Sequence, residues 1–159
     1  MRDQLTREQR YRAMVANRGR TGPELALAHA LWRRGLRYLT ADGYRRLGGP
    51  RLSGHPDMVF AGRHVVVFVD GCFWHGCPRC KGIPTQSGAF WRRKIETNVA
   101  RDRRVTAELR RAGWAVIRVP EHALRDEARL ARTAARVARR VRARRSRAPR
   151  TSSRLIPWR

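Results

Sequence analysis

Pro56-Asp57-Met58-Val59-Phe60-Ala61-Gly62-Arg63-His64-Val65-Val66-Val67-Phe68-Val69-Asp70 is the stretch on which the fold depends. Val65 to Val69 shows no alternation of apolar and polar residues, so it predicts a central strand covered on both faces. Pro56 to Phe60 reads as a second strand, joined to His64 to Asp70 by a tight turn at Ala61-Gly62-Arg63. A hairpin of this kind brings its two acidic ends, Asp57 and Asp70, near each other.

On the N-terminal side, Thr6 to Ala16 is polar with Tyr11, Met14 and Val15 on one helical face, and Asn17-Arg18-Gly19-Arg20 breaks that pattern. Thr21-Gly22-Pro23-Glu24 has the spacing of a capping box and opens a helix through Leu25, Ala28, Leu31 and Trp32 that stops at Gly35. Leu36 to Thr40 suits a short strand, and Asp42 to Gly54, with four glycines and a proline, reads mostly as loop. On the C-terminal side, the loop Gly71 to Gly88 carries all the cysteines. Phe90 to Ala112 predicts a long charged helix closed by Gly113, and Trp114 to Val119 returns to strand. From Ala123 onward Leu130, Ala134, Val137 and Val141 mark a thin apolar stripe on an Arg-rich helix, and beyond Arg145 the Ser, Pro and Arg content predicts a disordered tail. Trp32 and Trp114 lie on apolar-patterned elements and are expected in the core. Helix, strands, helix and strand in this order give an α/β layer fold.

A chain of 159 residues that is 42% hydrophobic, with five tryptophans, suits one domain with a buried core. Its longest apolar run, Val65 to Val69, is far too short to cross a bilayer, and Met1-Arg2-Asp3-Gln4-Leu5 does not begin a secretory signal. Against 12 Asp+Glu stand 37 Lys+Arg, a net charge of +25, which calls for a polyanionic partner. Only Lys81 and Lys94 are lysine, a bias that a GC-rich genome would also produce, so the charge identifies no finer partner. Residues 125–159 hold 13 Arg against Asp126 and Glu127, a net +11, and +14 remains on the first 124 residues.

Three cysteines within nine residues cannot all pair, which fits a reduced compartment and metal chemistry better than a disulfide framework. Cys72, Cys77 and Cys80 follow C-x4-C-x2-C, and the x2 pair is the separation at which one backbone turn presents two thiolates to a tetrahedral ion. A fourth ligand is required, and His75 and His122 compete for it. Cys77 and Cys80 do not open a helix after a strand, which disfavours a redox pair. Asp57 and Asp70, at strand edges, have the placement of carboxylates that hold Mg²⁺ against a phosphate, and also of plain turn caps. Glu24 is explained equally by the capping box.

Gly54-His55-Pro56-Asp57-Met58-Val59-Phe60, Val67-Phe68-Val69-Asp70-Gly71-Cys72-Phe73-Trp74-His75, Phe90-Trp91, Asn98-Val99 with Arg101-Asp102-Arg103-Arg104, and Gly113-Trp114 ahead of Val119-Pro120-Glu121-His122-Ala123-Leu124 resemble the very short patch repair (Vsr) mismatch endonucleases. The resemblance runs from about Thr6 to Leu124. It implies a restriction-endonuclease-like fold, a three-layer α/β/α arrangement with a central mixed sheet and a zinc-bound loop. It divides the chain into an N-terminal DNA-contacting helical arm (1–20), an endonuclease core (21–124), a basic C-terminal helix (125–145) and a disordered basic tail (146–159). The implied activity is a Mg²⁺-dependent nick on the 5′ side of the thymine in G·T mismatches left by 5-methylcytosine deamination. The implied setting is the bacterial cytoplasm, with a monomer acting on double-stranded DNA beside the mismatch-repair protein MutL and a cytosine-5 methyltransferase system.

By the same resemblance Asp57 and the Val69 carbonyl are Mg²⁺ ligands, His75 is the general base, and Glu24 positions water or His75. Cys72, Cys77, Cys80 and His122 are the zinc ligands, although the better-known pattern has His where this chain has Cys77 and Cys where it has His122. Asp70 replaces a family histidine next to the scissile phosphate, which places a carboxylate close to the metal or at a turn cap. Phe73, Trp74 and Trp91 intercalate at the mismatch, with Met14 acting from the other groove. Two other readings stay open at this point. One is a restriction-type endonuclease of the same fold, and the other is a zinc-stabilised DNA-binding protein without catalysis.

Overall fold

In the computed structural model, which describes residues 21–75, 77, 79, 80 and 88–144, the valine run forms the middle of a three-stranded sheet. Strand β1 (Met58–Phe60) pairs antiparallel with β2 (Val65–Asp70), and β2 pairs parallel with β3 (Ala115–Pro120), so the sheet is mixed. Val65, Val66 and Val67 are completely buried although they point to opposite faces. Burial of such a side chain contributes about 1.5 to 3 kcal/mol, which is why a strand covered on both faces shows no alternation.

The residues of β2 divide between two cores. Val65 and Val67 pack with Leu27 and Leu31 of helix α1 (Gly22–Arg33) and with Ala134, Val137 and Val141 of the last helix, Glu127–Ala143. Val66 and Phe68 pack on the other face with Val105 and Leu109 of a long helix, Gly88–Arg111, and with Trp114. Numbered in chain order, with α2 the short helix Ala41–Arg46, the long helix is α3 and the last helix α4. Glycine serves close packing at Gly54, where φ is +74° and an added Cβ would come within 2.4 Å of Val105.

Several details differ from the sequence expectation. Helix α2 occupies part of the glycine-rich stretch read as loop. Thr40 caps it by accepting a hydrogen bond from Gly43 N–H at 3.0 Å, and Asp42 in the first turn with Arg45 and Arg46 in the last suits the helix dipole. Leu36 to Thr40 contributes only an isolated bridge, Leu39 to Val59. Helix α1 starts after Thr21, yet the box does not form, because the Thr21 hydroxyl donates to Glu24 at 2.8 Å and leaves the helix N–H groups without a side-chain cap. Trp32 is 51% exposed, its ring covered by the Arg37 guanidinium at 3.7 Å, whereas Trp114 is buried as expected. The last helix begins at Glu127, capped by Asp126, after a 3-10 turn over Glu121–Leu124. Among the described residues no helix is long and apolar enough to cross a membrane. The expected arm, its Met14 and the tail lie outside the described residues.

Candidate active site and metal centre

The parallel pairing of β2 with β3 sets Asp70 beside Pro120, so the two chain segments that leave the sheet there, beginning at Gly71 and at Glu121, start side by side. This juxtaposition gathers most of the chemistry. Cys72 follows the end of β2 and His122 the end of β3. The ligand atoms of Cys72, Cys77, Cys80 and His122 all lie within 4.8 Å of one another. Cys72 Sγ and Cys77 Sγ are each 3.3 Å from His122 Nδ1. Tetrahedral zinc with ordinary Zn–S and Zn–N lengths would require an S···N edge of about 3.6 Å. The four groups can therefore hold one metal ion, and of the two competing histidines it is His122 that joins the cysteines. Burial pushes the Cys72 thiol up to about 11, so loading an ion there must displace a proton. Burial also raises Cys77, but backbone N–H groups at Arg79 and Cys80, with the neighbouring thiols, outweigh it and leave that thiol lower than usual. The Glu121 carboxylate braces the cluster by accepting from Cys72 N–H at 3.3 Å.

His75 is not part of this cluster. Its Nδ1 is hydrogen-bonded to Asp102 of α3. Its Nε2 lies 3.8 Å from Asp70, at the edge of a cleft of about 330 Å³ bounded by Asp70, His75, Asp102, Arg103, Arg110 and Arg118. Helix α3 holds this loop at two points four residues apart on one face. Asn98 donates to the Trp74 carbonyl at 3.2 Å, and Asp102 receives His75.

Arg118 of β3 ties the acids together. It donates to both Asp70 oxygens, from Nε at 2.8 Å and Nη2 at 2.7 Å, and Nη2 also lies 3.1 Å from Asp102. Burial lowers the guanidinium pKa, but Asp70 and then Asp102 more than offset this and raise it above the usual value. Phe68 packs beneath, its ring 4.8 Å from the guanidinium carbon. Both Asp70 oxygens are thus engaged by a cation. Asp57 is placed at the other strand. Its N–H donates to Val67 O at 3.0 Å, and its carboxylate accepts from Val69 N–H at 2.7 Å, which brings Asp57 and Val69 together across the hairpin. Glu24 sits in the first turn of α1, hydrogen-bonded to Thr21.

The aromatic residues form one cluster. Phe73 lies 5.0 Å from Trp74 and 5.2 Å from Trp91 between ring centroids, and Trp74 lies 5.8 Å from Trp91. Trp91 is buried and Phe90, against it, is 55% exposed. Sequence reading assigned no role to Asp102 or Arg118. The i, i+4 spacing of Asn98 and Asp102 inside the charged helix was a usable signal for Asp102, whereas Arg118 was one arginine among many.

Residues 2–81 match the family model described as "DNA mismatch endonuclease Vsr", a span that contains Glu24, Asp57, Asp70, His75 and the three cysteines. The chain belongs to the Vsr family. The Type II nicking enzyme V.NaeI of Lentzea aerocolonigenes is 49% identical over 115 residues, covering 71% of this chain and 68% of its own. V.NmeDIP of Neisseria meningitidis serogroup C, also a Type II nicking enzyme, is 44% identical over 119 residues, covering 73% of this chain and 76% of its own. The DNA mismatch endonuclease Vsr of Escherichia coli (strain K12) is 38% identical over 130 residues, covering 80% and 77%. Membership of the Vsr family makes this chain a DNA endonuclease with a restriction-endonuclease-like fold, to which the mixed sheet and flanking helices conform. Asp102, Arg118 and His122 of this Vsr protein lie past the end of the matched span.

Proposed function

We propose that this enzyme nicks one strand of duplex DNA on the 5′ side of the thymine in a G·T mismatch by Mg²⁺-dependent hydrolysis, with zinc in the Cys₃His cluster as a structural ion. The observation that carries the reading is the separation of the two histidines, which leaves His75 free for proton transfer while His122 sides with the thiols. Single-strand cleavage is supported by relatives named as nicking enzymes, and a cytoplasmic setting by their being bacterial DNA-acting proteins. The α1 and α4 layer, the sheet and α3 are read as the three layers of the fold.

The donor set fits a hard cation at one point of the hairpin, where the Asp57 carboxylate lies against the backbone of Val69. Asp57 and the Val69 carbonyl would hold Mg²⁺, which when bound supplies positive charge to the reacting phosphate. The Asp102 carboxylate accepts from His75 Nδ1–H and so fixes the tautomer in which Nε2 carries the lone pair. Nε2 then removes a proton from the attacking water, with Asp102 holding the imidazole in position. Asp70 acts through Arg118, because a carboxylate whose two oxygens are both bound by a guanidinium is a poor second metal ligand. Glu24 is proposed to position water from α1.

Phe73, Trp74 and Trp91 are read as the wedge. Unstacking costs a few kcal/mol per step and least at a mismatch, so a preassembled aromatic cluster selects the weakened step. Met14 is proposed to act from the other groove.

Strand-labelled G·T and G·C duplexes incubated with Mg²⁺ or EDTA test the proposal. Nicking of the thymine strand in the G·T duplex alone, abolished by EDTA, is expected. Cleavage of both strands in both duplexes would replace it with a restriction activity.

A further inference from the structure

A second cavity lies outside the nuclease cleft. It encloses about 590 Å³ against the far side of the metal cluster, with Cys80 and His122 in its wall. Five arginines line it, namely Arg79, Arg125, Arg129, Arg132 and Arg136, and no carboxylate does. Within α4, Arg129, Arg132 and Arg136 recur at intervals of three and four residues, the helical spacing also kept by the apolar stripe Leu130, Ala134, Val137 and Val141, while Arg125 precedes the helix. One stripe fastens α4 to the sheet and the other faces the cavity.

Internal contacts account for only two of these side chains, Arg125 donating to Cys80 Sγ at 3.8 Å and Arg129 to the His122 carbonyl at 3.4 Å. Other arginines in and just after α4 are used structurally, Arg142 donating to the Arg34 carbonyl and Arg144 to that of Gly113. Arg129 is partly engaged, by Asp126 at 3.1 Å. Among the described residues the side chains of Arg79, Arg132 and Arg136 have no hydrogen-bond or ion-pair partner. Like charges four residues apart on a helix repel, so the stripe is unfavourable in the isolated protein and becomes favourable against a polyanion. A genome-wide preference for Arg codons accounts for arginine over lysine, but not for alignment along one face.

We propose that this arginine cavity is a binding site for the phosphate backbone of duplex DNA flanking the cleavage position. Arg129 to Arg136 rise about 10 Å along the helix, the axial span of about three phosphates of one strand. The site sits on the same end of the sheet as Asp70 and His75, because Cys72 and His122 leave adjacent strand ends. To meet the stripe, a duplex seated at the cleft has to pass the cluster, from the α3 side of the sheet to the α4 side. Guanidinium forks suit phosphate oxygens, and such contacts set register without reading sequence.

The inference rests on duplex DNA being the substrate and deepens that reading. It is tested on fully paired duplex without Mg²⁺, so it can fail while the mismatch reading stands, and the reverse. Arg132→Gln/Arg136→Gln protein, with metal content checked, is titrated with fluorescent duplex at several salt concentrations. Loss of two phosphate contacts lowers the log–log salt slope by about 1.8, so that between 50 and 200 mM salt the wild-type affinity falls about 12-fold more than the variant's. The position of the nick on a mismatched duplex stays unchanged. An unaltered slope, an equal loss in the Arg139→Gln/Arg140→Gln control on the same helix, or binding of inorganic phosphate with DNA affinity unchanged would overturn the site. In the unmodified protein, duplex should protect Arg132 and Arg136 from phenylglyoxal as mapped by peptide mass spectrometry. Unprotected arginines would overturn it as well, whether or not the variant folds.

Discussion

Replacing Arg118 with methionine removes the cation while keeping most of the length of the side chain. Arg118 is 24% exposed at its side chain and its partners Asp70 and Asp102 are each 14% exposed. Breaking a buried ion pair from one side costs about 3 to 5 kcal/mol, because the remaining charge stays desolvated without a partner. Here Asp70 loses both of its guanidinium bonds while Asp102 keeps His75 and Arg101, and the site is not fully dry, so the lower end of that range applies, about 3 kcal/mol. For a chain of this size that corresponds to a fall in melting temperature of about 6 to 12 °C. Thermal and urea unfolding followed by circular dichroism measure the loss. Arg118→Met/Asp70→Asn, which removes one stranded charge, should recover about half of it. A loss under about 1 kcal/mol would refute the reasoning. So would a second substitution that deepens the loss instead of reversing it.

His75→Ala should retain its metal and its melting temperature while losing about 10² to 10⁴ in kcat, as expected for removal of a general base, measured by nicking under saturating DNA and by metal analysis. His122→Ala should lose metal first and activity as a consequence. Gly54→Ala should destabilise by about 1 to 3 kcal/mol in urea titration, because the new methyl would sit 2.4 Å from Val105 at a φ of +74°. Leu31→Ala, at a completely buried position beneath the sheet, should cost about 2 to 5 kcal/mol in the same assay.

The central hairpin was legible because a run of five apolar residues admits few placements, and the cysteine cluster because three thiols so close in sequence have few other uses. Helix α2 was hidden by its glycines, since composition argued for loop while a single capping threonine and its flanking charges argued for helix. Trp32 was misplaced for a related reason. Helical periodicity identifies a face, but an indole at the edge of that face can be covered by a single neighbouring guanidinium. Asp70 was visible as an oddity against the family pattern, and its partner was not. Arg118 is 48 residues away in the chain and reaches Asp70 only through the parallel register of β2 and β3. The division between His75 and His122 was open on spacing alone and came only with the family resemblance, while the partner that holds His75, Asp102 of α3, was not legible in the loop sequence.

The two ends of the Cys₃His cluster are far apart along the backbone. An ion held by Cys72 and His122 closes a ring of 51 residues, Cys72 to His122, and the whole of α3 lies inside it. By the relation used for covalent cross-links, closing a ring of that length removes about 4 kcal/mol of unfolded-chain entropy. The helix so enclosed supplies Asn98 and Asp102, which grip the loop bearing His75. Metal occupancy and alignment of His75 would thereby be linked equilibria. Loss of the ion would release the loop from Cys72 to Cys80, which also carries the base, while α3 stays packed through Val105 and Leu109, and cleavage should fade under metal starvation before the protein unfolds.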